Sequence, residues 1–540
     1  MGFPTKVQLI KRKKSEQFYI NFPSAVAQAM EFVRGETVEW LIEDKSQLVL
    51  RRRETPPSAL KKNAVGLTEC FNALWERTRP AFRQERTWER ARTLGVSSLA
   101  CLGRHTVTGM LTSSNQQFAD WTAAYRLFEK ERIDMDKLFE PVRETVNRAL
   151  PDHLPFMAVL DDTTARKRGR KVKGAAWRKD PLGPPFRLNL VWSQRFLQTA
   201  AILPTAGLSS RARAIPIDLR HCPSARRPGK RATPQQWDQF RSDQKMMRLS
   251  AVGSERIWAL RASLDALPTG RDRQLLVAMD GAYTNGTVFR RIPDRTCLIG
   301  RVRKDAKLFA PPQPVRTGRG RPRVYGAVTP TPEQIRSDDS IPWRTVSAYA
   351  AGKTHLFDVK IVGPIRWKGA GQTDLCLIVI RPLAYRPTKT SKLLYRQPAY
   401  LLCTDPNLSV EVIIQAYLWR WEIEVVFREE KTLLGFGEAQ VRTDPAVANV
   451  PGFIAAMYAY LHLAATAAGI RGPVLPRPKW RPSKPDERCT TGNLIGLLRG
   501  ELWGRALGVN LRGFDDALSV STNTCKLPNH AAAAVIYAYR

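Results

Sequence analysis

Two apolar runs that each end in aspartate restrict the fold of this chain more than any other feature. The first, Phe156–Leu160, leads into Asp161 and Asp162. The second, Leu275–Met279, leads into Asp280. Short continuous apolar runs are typical of strands buried on both faces of a sheet that is at least partly parallel. The carboxyl ends of parallel strands form the edge where such sheets bind ligands, so we expect the aspartates to lie there.

An aspartate that follows a strand has a structural and a functional interpretation. It commonly caps a helix or forms a turn. Its carboxylate oxygens also suit hard cations such as Mg²⁺ or Mn²⁺, which in turn bridge to phosphates. Taken singly, Asp162 and Asp280 leave both interpretations open.

A third acidic residue lies in a segment whose pattern predicts one helix over 412–434. With about 100° per residue, four polar residues fall within roughly 60° of one another on its surface: Tyr417, Arg420, Glu424 and Lys431. An ordinary surface ion pair, worth ~0.3–0.5 kcal/mol, explains Arg420 and Glu424 but not the other two residues. A carboxylate beside a phenol, a guanidinium and an ammonium group is suited to hold a metal ion and a phosphate together.

The spacing Tyr417-x2-Arg420-x3-Glu424-x6-Lys431 resembles the Y-R-E-K signature of IS4-type insertion-sequence DDE transposases. The stretches DWTAAYRLFEKERID and ARKRGRKVKGAAWRKDPLG, on either side of the first aspartates, resemble the IS701-like branch of that group. The likeness extends over about residues 65–470. The chain therefore resembles this family along most of its length.

The same family carries a triad of two aspartates and one glutamate. The first acid is matched by Asp162, which two threonines follow, and the second by Asp280 in VAMDGAYTN. Because side chains alternate along a strand, only one of Asp161 and Asp162 can face the site. The D-T-T match favours Asp162.

The resemblance implies a multidomain α/β protein: an RNase H-like catalytic core with an inserted β unit, preceded by a helical segment and a small swapped-hairpin-like β domain. Asp162, Asp280 and Glu424 would be the catalytic residues and the ligands of two Mg²⁺ or Mn²⁺ ions per active site, which promote in-line attack on a phosphodiester bond. The residues that would hold the DNA phosphate beside the scissile bond are Tyr417, Arg420 and Lys431.

Related transposases resolve the second DNA strand through a hairpin, with an aromatic wedge from the β insertion. Trp343 and Trp367 are candidates for that wedge in this chain. A packed core tryptophan is the alternative interpretation of each.

The first 53 residues read as a small β-rich unit. Strands are predicted at Lys6–Ile10 and Phe18–Phe22, and a hairpin joins Thr37–Ile42 to Gln47–Arg51. This order resembles AbrB/SpoVT-type swapped-hairpin domains, in which two chains interlace, and so implies a homodimer. The predicted first loop would carry the DNA contacts Lys11, Arg12, Lys13 and Lys14. An ordinary β module with a solvated charge run is the alternative.

Changes in pattern divide the chain into six predicted segments. They are an AbrB/SpoVT-like DNA-binding domain (1–53), a helical DNA-binding segment (56–150), the first part of the catalytic core (151–310), the inserted β unit (311–399), the second part of the core with the glutamate helix (400–470), and a C-terminal region (471–540).

The charge of the chain indicates a polyanionic partner. Lys and Arg number 86 against 49 Asp and Glu, a formal net charge of +37, and such an excess favours nucleic acid. One basic cluster follows the first aspartates and would contact phosphates at the rim of the site: Arg166, Lys167, Arg168, Arg170 and Lys171. Another, around Arg319 and Arg321, resembles an AT-hook, which lays arginine into a narrow minor groove. General contact with phosphates is the alternative interpretation of this cluster.

Several classes of protein are disfavoured by the same sequence. No apolar run reaches the ~18–20 residues of a spanning helix, and residues 1–14 lack the apolar core of a signal peptide. The eight cysteines are scattered, which fits a reducing compartment better than a disulfide framework. A nucleotide-binding loop is not predicted either, because the glycines of TGRGRPRVYG lack a strand-to-helix context. We expect a bacterial cytoplasmic, nucleoid-associated protein with neither a membrane partner nor a nucleotide cofactor.

The leading hypothesis is a transposase that binds the terminal inverted repeats of an insertion sequence, cleaves there and transfers the 3′ ends to target DNA. One alternative is an AbrB-like DNA-binding regulator with an inactive transposase-derived core. Another is a nuclease of the same fold without strand transfer.

Overall fold

A computed structural model describes residues 7–12, 15–20, 38–42, 48–52, 66–180, 183–184, 186–313, 323–386, 388, 390–475, 480, 487–504 and 530–538. The chain divides into two compact units, one formed by residues 1–70 with 468–538 and the other by residues 71–467.

The first unit contains two antiparallel β-hairpins near the amino terminus. Their strands are β1 (Val7–Arg12), β2 (Ser15–Ile20), β3 (Val38–Ile42) and β4 (Leu48–Arg52). Lys11 and Arg12 lie in β1 rather than in a loop, which corrects the sequence prediction, because the ladder continues until Arg12 pairs with Ser15. Lys13, Lys14 and the helix expected over 24–32 fall outside the described residues.

The second unit begins with helices and a short 3₁₀ turn, Arg79–Ala81. The helices are α1 (Leu67–Glu76, which starts in the first unit), α2 (Glu85–Ala100), α3 (Val107–Ser113), α4 (Thr122–Glu129) and α5 (Met135–Ala149). This region was predicted to be helical, and side-chain capping marks the start of α3 and of α5. Asp134, for example, accepts a hydrogen bond from the backbone N–H of Lys137 at the start of α5.

A large mixed sheet of eleven strands forms the centre of this unit. Its strands are β5 (Phe156–Arg166), β6 (Ala176–Lys179), β7 (Leu190–Pro204), β8 (Ala212–His221), β9 (Leu275–Met279), β10 (Thr296–Arg301), β11 (Leu308–Phe309), β12 (Arg344–Ala350), β13 (Lys353–Trp367), β14 (Leu375–Ile380) and, after the small separate pair β15 (Ala384–Tyr385) and β16 (Leu394–Tyr395), β17 (Ala399–Cys403). The predicted mixed α/β class is confirmed.

The order of the strands places β5 and β9 in the middle of the sheet. Along its main path the order is β11-β13-β14-β17-β10-β9-β5-β7-β6, with β12 beside β13 and β8 beside β7. The pairs β5–β9 and β9–β10 are parallel, and the others are antiparallel. Strands of the segment 311–399 thus hydrogen-bond into the same sheet as the aspartate strands.

The remaining helices cover this sheet or extend the second unit. They are α6 (Pro234–Met246), α7 (Leu249–Asp265), α8 (Gly286–Phe289), α9 (Pro332–Ser337), α10 (Val410–Trp419), α11 (Glu422–Thr432) and α12 (Asp444–Ala467), and the first unit adds α13 (Thr491–Trp503) and α14 (His530–Ile536). Within the described residues, α12 is long and apolar enough to cross a membrane, and 89% of its most apolar window is buried inside the protein. Such burial is typical of a core helix.

Candidate active site

The register of β5 against β9 brings two aspartates side by side. Phe156 pairs with Leu275 and Leu160 with Met279 in parallel, so the next positions along are Asp161 and Asp280. Residues at equal register on adjacent strands face the same side of a sheet, and their sequence neighbours face the other. Asp161 therefore shares a face with Asp280.

The charges of these two carboxylates act on each other. Burial and, second to it, the negative charge of Asp280 raise the pKa of Asp161 to about 7. The Arg420 guanidinium opposes this rise. Two acids held together in a half-buried edge of the sheet form a site that favours a cation.

The segment after β17 is not one helix, as the sequence pattern predicted, but two. Between α10 and α11, the N–H of Arg420 donates to the Tyr417 carbonyl and that of Trp421 to the Leu418 carbonyl, both at 3.2 Å. These i to i−3 hydrogen bonds tighten the turn. The single-helix prediction is wrong because apolar spacing does not distinguish one helix from two that are joined by such a turn.

The tightened turn directs Arg420 inward between two carboxylates. Its Nη1 lies 3.1 Å from Asp161 Oδ2, and its Nη2 lies 3.2 Å from Glu424 Oε1. Only 13% of the Arg420 side chain is exposed. The guanidinium therefore links the aspartate at the end of β5 to the glutamate on α11.

Tyr417 lies against the same group of residues. The guanidinium carbon of Arg420 is 5.9 Å from the centre of its ring. Burial raises the pKa of the phenol, the charges of Arg420 and Arg301 lower it, and that of Asp280 raises it. Three of the four signature residues, together with Asp280, thus share one site.

Lys431 lies farther along α11. At ~1.5 Å per residue, seven residues separate it from Glu424 by roughly 10 Å. Burial lowers the pKa of its ammonium group, with Glu430 opposing and Arg166 adding to the shift. The fourth signature residue therefore lies near the end of β5, where Arg166 is the last residue of the strand.

Asp162 faces the other side of the sheet. Its Oδ1 accepts a hydrogen bond from the Tyr283 hydroxyl at 3.0 Å, and Tyr283 is fully buried. Burial raises the pKa of Asp162 although this bond and the charges of Arg195 and Arg178 lower it. The residue favoured by the D-T-T match thus contacts Tyr283, whereas its neighbour Asp161 contacts Arg420.

The basic cluster after β5 is divided between surface and interior. Arg166 forms an ion pair with Asp180 at 2.7 Å. Lys167 donates from Nζ to the Gly437 carbonyl at 2.6 Å, and burial lowers the pKa of its ammonium group to about 8. The exposed members are Arg166, Arg168, Arg170 and Lys171. Arg319 and Arg321 fall outside the described residues.

Trp343 and Trp367, the two candidates for the DNA wedge, are half-buried, and each ring contacts another side chain. The ammonium nitrogen of Lys360 lies 4.5 Å from the centre of the Trp343 ring. The Trp367 ring meets Phe289 edge to face, with 5.8 Å between ring centres. These contacts agree with the core interpretation of the two residues.

The described part of the chain holds no ready-made group of three or more His, Cys, Asp or Glu side chains that could hold a metal ion. The donor chemistry nevertheless fits Mg²⁺ or Mn²⁺, since Asp161, Asp280 and Glu424 offer oxygen ligands. The repulsion between Asp161 and Asp280 is what a divalent cation would relieve.

Two residues that contact the strands of the site, Tyr283 and Glu430, were not predicted from the sequence. Tyr283 lies within VAMDGAYTN, so its position in that motif was a usable signal. No sequence signal marked Glu430, which is fully buried on α11. Its Oε1 accepts a hydrogen bond from Nε2 of Gln198 on β7 at 3.3 Å.

Comparison with known proteins identifies one family. The model of the DDE superfamily endonucleases matches residues 69–355, just over half of the chain. The matched range includes Asp161, Asp162 and Asp280 and ends before Glu424. A comparison with curated proteins found no match.

Proposed function

This chain belongs to the DDE superfamily endonucleases, and from that membership we propose that it is an IS4-type DNA transposase. It would bind the terminal inverted repeats of an insertion sequence, cut there and join the 3′ ends to target DNA. An RNase H-like catalytic core would lie in the mixed sheet and its helices. A cytoplasmic, nucleoid-associated location follows from a DNA substrate.

One observation carries this proposal: Arg420 joins Asp161 to Glu424, while Asp161 lies in register with Asp280. We assign the carboxylate triad to Asp161, Asp280 and Glu424 on this basis. Asp162 becomes a positioning residue, because its hydrogen bond to Tyr283 anchors the strand end from the opposite face.

The three carboxylates would hold two divalent cations. When bound, such ions activate the attacking water or 3′-hydroxyl and stabilise the leaving oxygen. Arg420 has a planar, bidentate donor group suited to the phosphate beside the scissile bond. The Tyr417 ring lies 5.9 Å from that guanidinium and would supply a hydroxyl donor beside it. Lys431 would contact a phosphate farther along the strand.

We further propose that residues 1–53 form an AbrB/SpoVT-like domain that binds DNA and makes the protein a homodimer. The β1–β2 and β3–β4 hairpins support this assignment. Lys11 to Lys14 would contact the phosphate backbone. The exposed side chains of Arg168, Arg170 and Lys171 would add contacts near the active site.

A nuclease without strand transfer is the second candidate, favoured by the family description as an endonuclease. One assay separates the candidates: the protein is incubated with Mg²⁺ and DNA that carries the repeats flanking its own gene. Joined products support the transposase, and nicks without joining support the nuclease. Bound but intact DNA contradicts both and points to a DNA-binding regulator.

A further inference from the structure

A pair of tryptophans, one exposed and one half-buried, lies on the hairpin formed by β6 and the start of β7. Trp177 and Trp192 are cross-strand partners, with ring centres 5.6 Å apart. Trp177 is 64% exposed, and nearby Leu190 is 49% exposed. An apolar surface of this kind on a rim of charged residues marks an interaction site.

The pair lies on the same face of the sheet as Asp161. Asp161 is the cross-strand partner of Gln198 on β7, and cross-strand partners share a face. Trp192 precedes Gln198 by an even number of residues, so alternation places both on that face. At ~3.3 Å per residue the separation along β7 is roughly 20 Å.

Positive charge surrounds the tryptophan pair. The Trp192 indole N–H donates to the Gly169 carbonyl at 3.1 Å, which ties the basic segment after β5 to this hairpin. The nearby acid, Asp180, is half-buried and paired with Arg166. The exposed cations of the two segments are Arg168, Arg170, Lys171, Lys173, Lys179 and Arg187.

A partly exposed pair of aromatic rings among cations favours one class of ligand, single-stranded nucleic acid. In single-stranded nucleic acid, bases stack on aromatic side chains while lysine and arginine follow the phosphates. A duplex offers only base edges in its grooves, since its bases are stacked on one another. A protein partner of this surface would need an acidic patch around an apolar one.

We propose that Trp177 and Trp192 form a stacking platform for unpaired bases of the DNA strand that leaves the active site. The inference rests on the proposed function, because it takes DNA as the substrate. About six nucleotides at ~3.4 Å each span the distance between Asp161 and the pair.

The test compares two DNA probes, a blunt duplex and the same duplex with a single-stranded extension of about six nucleotides. Binding is measured in EDTA by fluorescence anisotropy for the unmutated protein, Trp177→Ala and Trp177→Phe. Trp258→Ala is the matched control: Trp258 is a 47% exposed tryptophan on α7. Thermal melting checks that each variant is folded.

We expect Trp177→Ala to weaken binding of the extended duplex about tenfold and to leave the blunt duplex unchanged. Trp177→Phe should retain most of the preference, and Trp258→Ala all of it. Equal weakening on both probes, or no weakening, overturns the platform. If the unmutated protein binds neither probe, the proposed function itself is contradicted.

Discussion

Asp161 of β5 and Asp280, directly after β9, occupy equivalent positions along the two parallel strands, and the charge of Asp280 disfavours ionisation of Asp161. The Arg420 guanidinium offsets part of this repulsion through its 3.1 Å contact with Asp161. The arrangement costs the fold some stability unless a cation is present. Clusters of like charge that destabilise a fold are commonly found at functional sites.

The neighbouring aspartates provide a test of the proposed triad. Asp161→Asn should lower DNA cleavage on the order of 10³-fold or more, because it removes a catalytic carboxylate. Asp162→Asn can still accept the Tyr283 hydrogen bond, so we expect a loss below ~100-fold. Cleavage rates with Mg²⁺ measure both effects. The reverse ranking would return the role to Asp162, as the D-T-T match suggested.

Glu424 should be required for chemistry but not for DNA binding. Glu424→Ala removes one proposed ligand and leaves the basic surface intact, so we expect cleavage to be lost and the Kd for DNA to change less than ~threefold. Glu411→Ala is the control, since Glu411 is a surface carboxylate on α10 paired with Arg344. Cleavage that survives in Glu424→Ala would refute the triad.

Local patterns predicted much of this fold, and long-range pairing accounts for what they missed. Apolar runs located β5 and β9 because burial on both faces leaves a contiguous signature. The choice between Asp161 and Asp162 depends on the register of two strands more than a hundred residues apart, about which local composition says nothing. The turn at Arg420 could not be predicted from the sequence pattern either. Its i to i−3 hydrogen bonds replace the i to i−4 hydrogen bonds of an α-helix without changing the apolar spacing.

The amino-terminal hairpins should contribute assembly and affinity rather than chemistry. Deletion of residues 1–53 is expected to convert a dimer to a monomer and to weaken binding to the terminal repeats at least ~tenfold, because two linked sites bind more tightly than one. Light scattering and anisotropy measure the two effects. Unchanged mass and affinity after truncation would contradict the proposed domain.

Divalent cations should stabilise the folded protein. Mg²⁺ at ~100 times its Kd adds about 2.7 kcal/mol to the free energy of unfolding, if it binds the folded state alone. We therefore expect Mg²⁺ to raise the Tm of the unmutated protein and to have little effect on Asp280→Asn. That substitution alone should raise the Tm in EDTA, because it removes the charge that opposes Asp161. An equal Mg²⁺ response in both proteins would place the cation elsewhere.

The buried Glu430 should make stability depend on pH. Burial raises the pKa of this carboxyl to about 8 in the folded protein, against about 4.3 in an unfolded chain. Between these values the folded state holds a proton that the unfolded state has lost, so the free energy of unfolding falls as pH rises from about 4.3 to about 8. Glu430→Gln keeps the shape and the contact with Gln198 but cannot titrate. Its Tm should therefore fall less between pH 5 and pH 8 than that of the unmutated protein, as followed by circular dichroism. Parallel Tm profiles for the two proteins would mean that Glu430 is ionised in the fold.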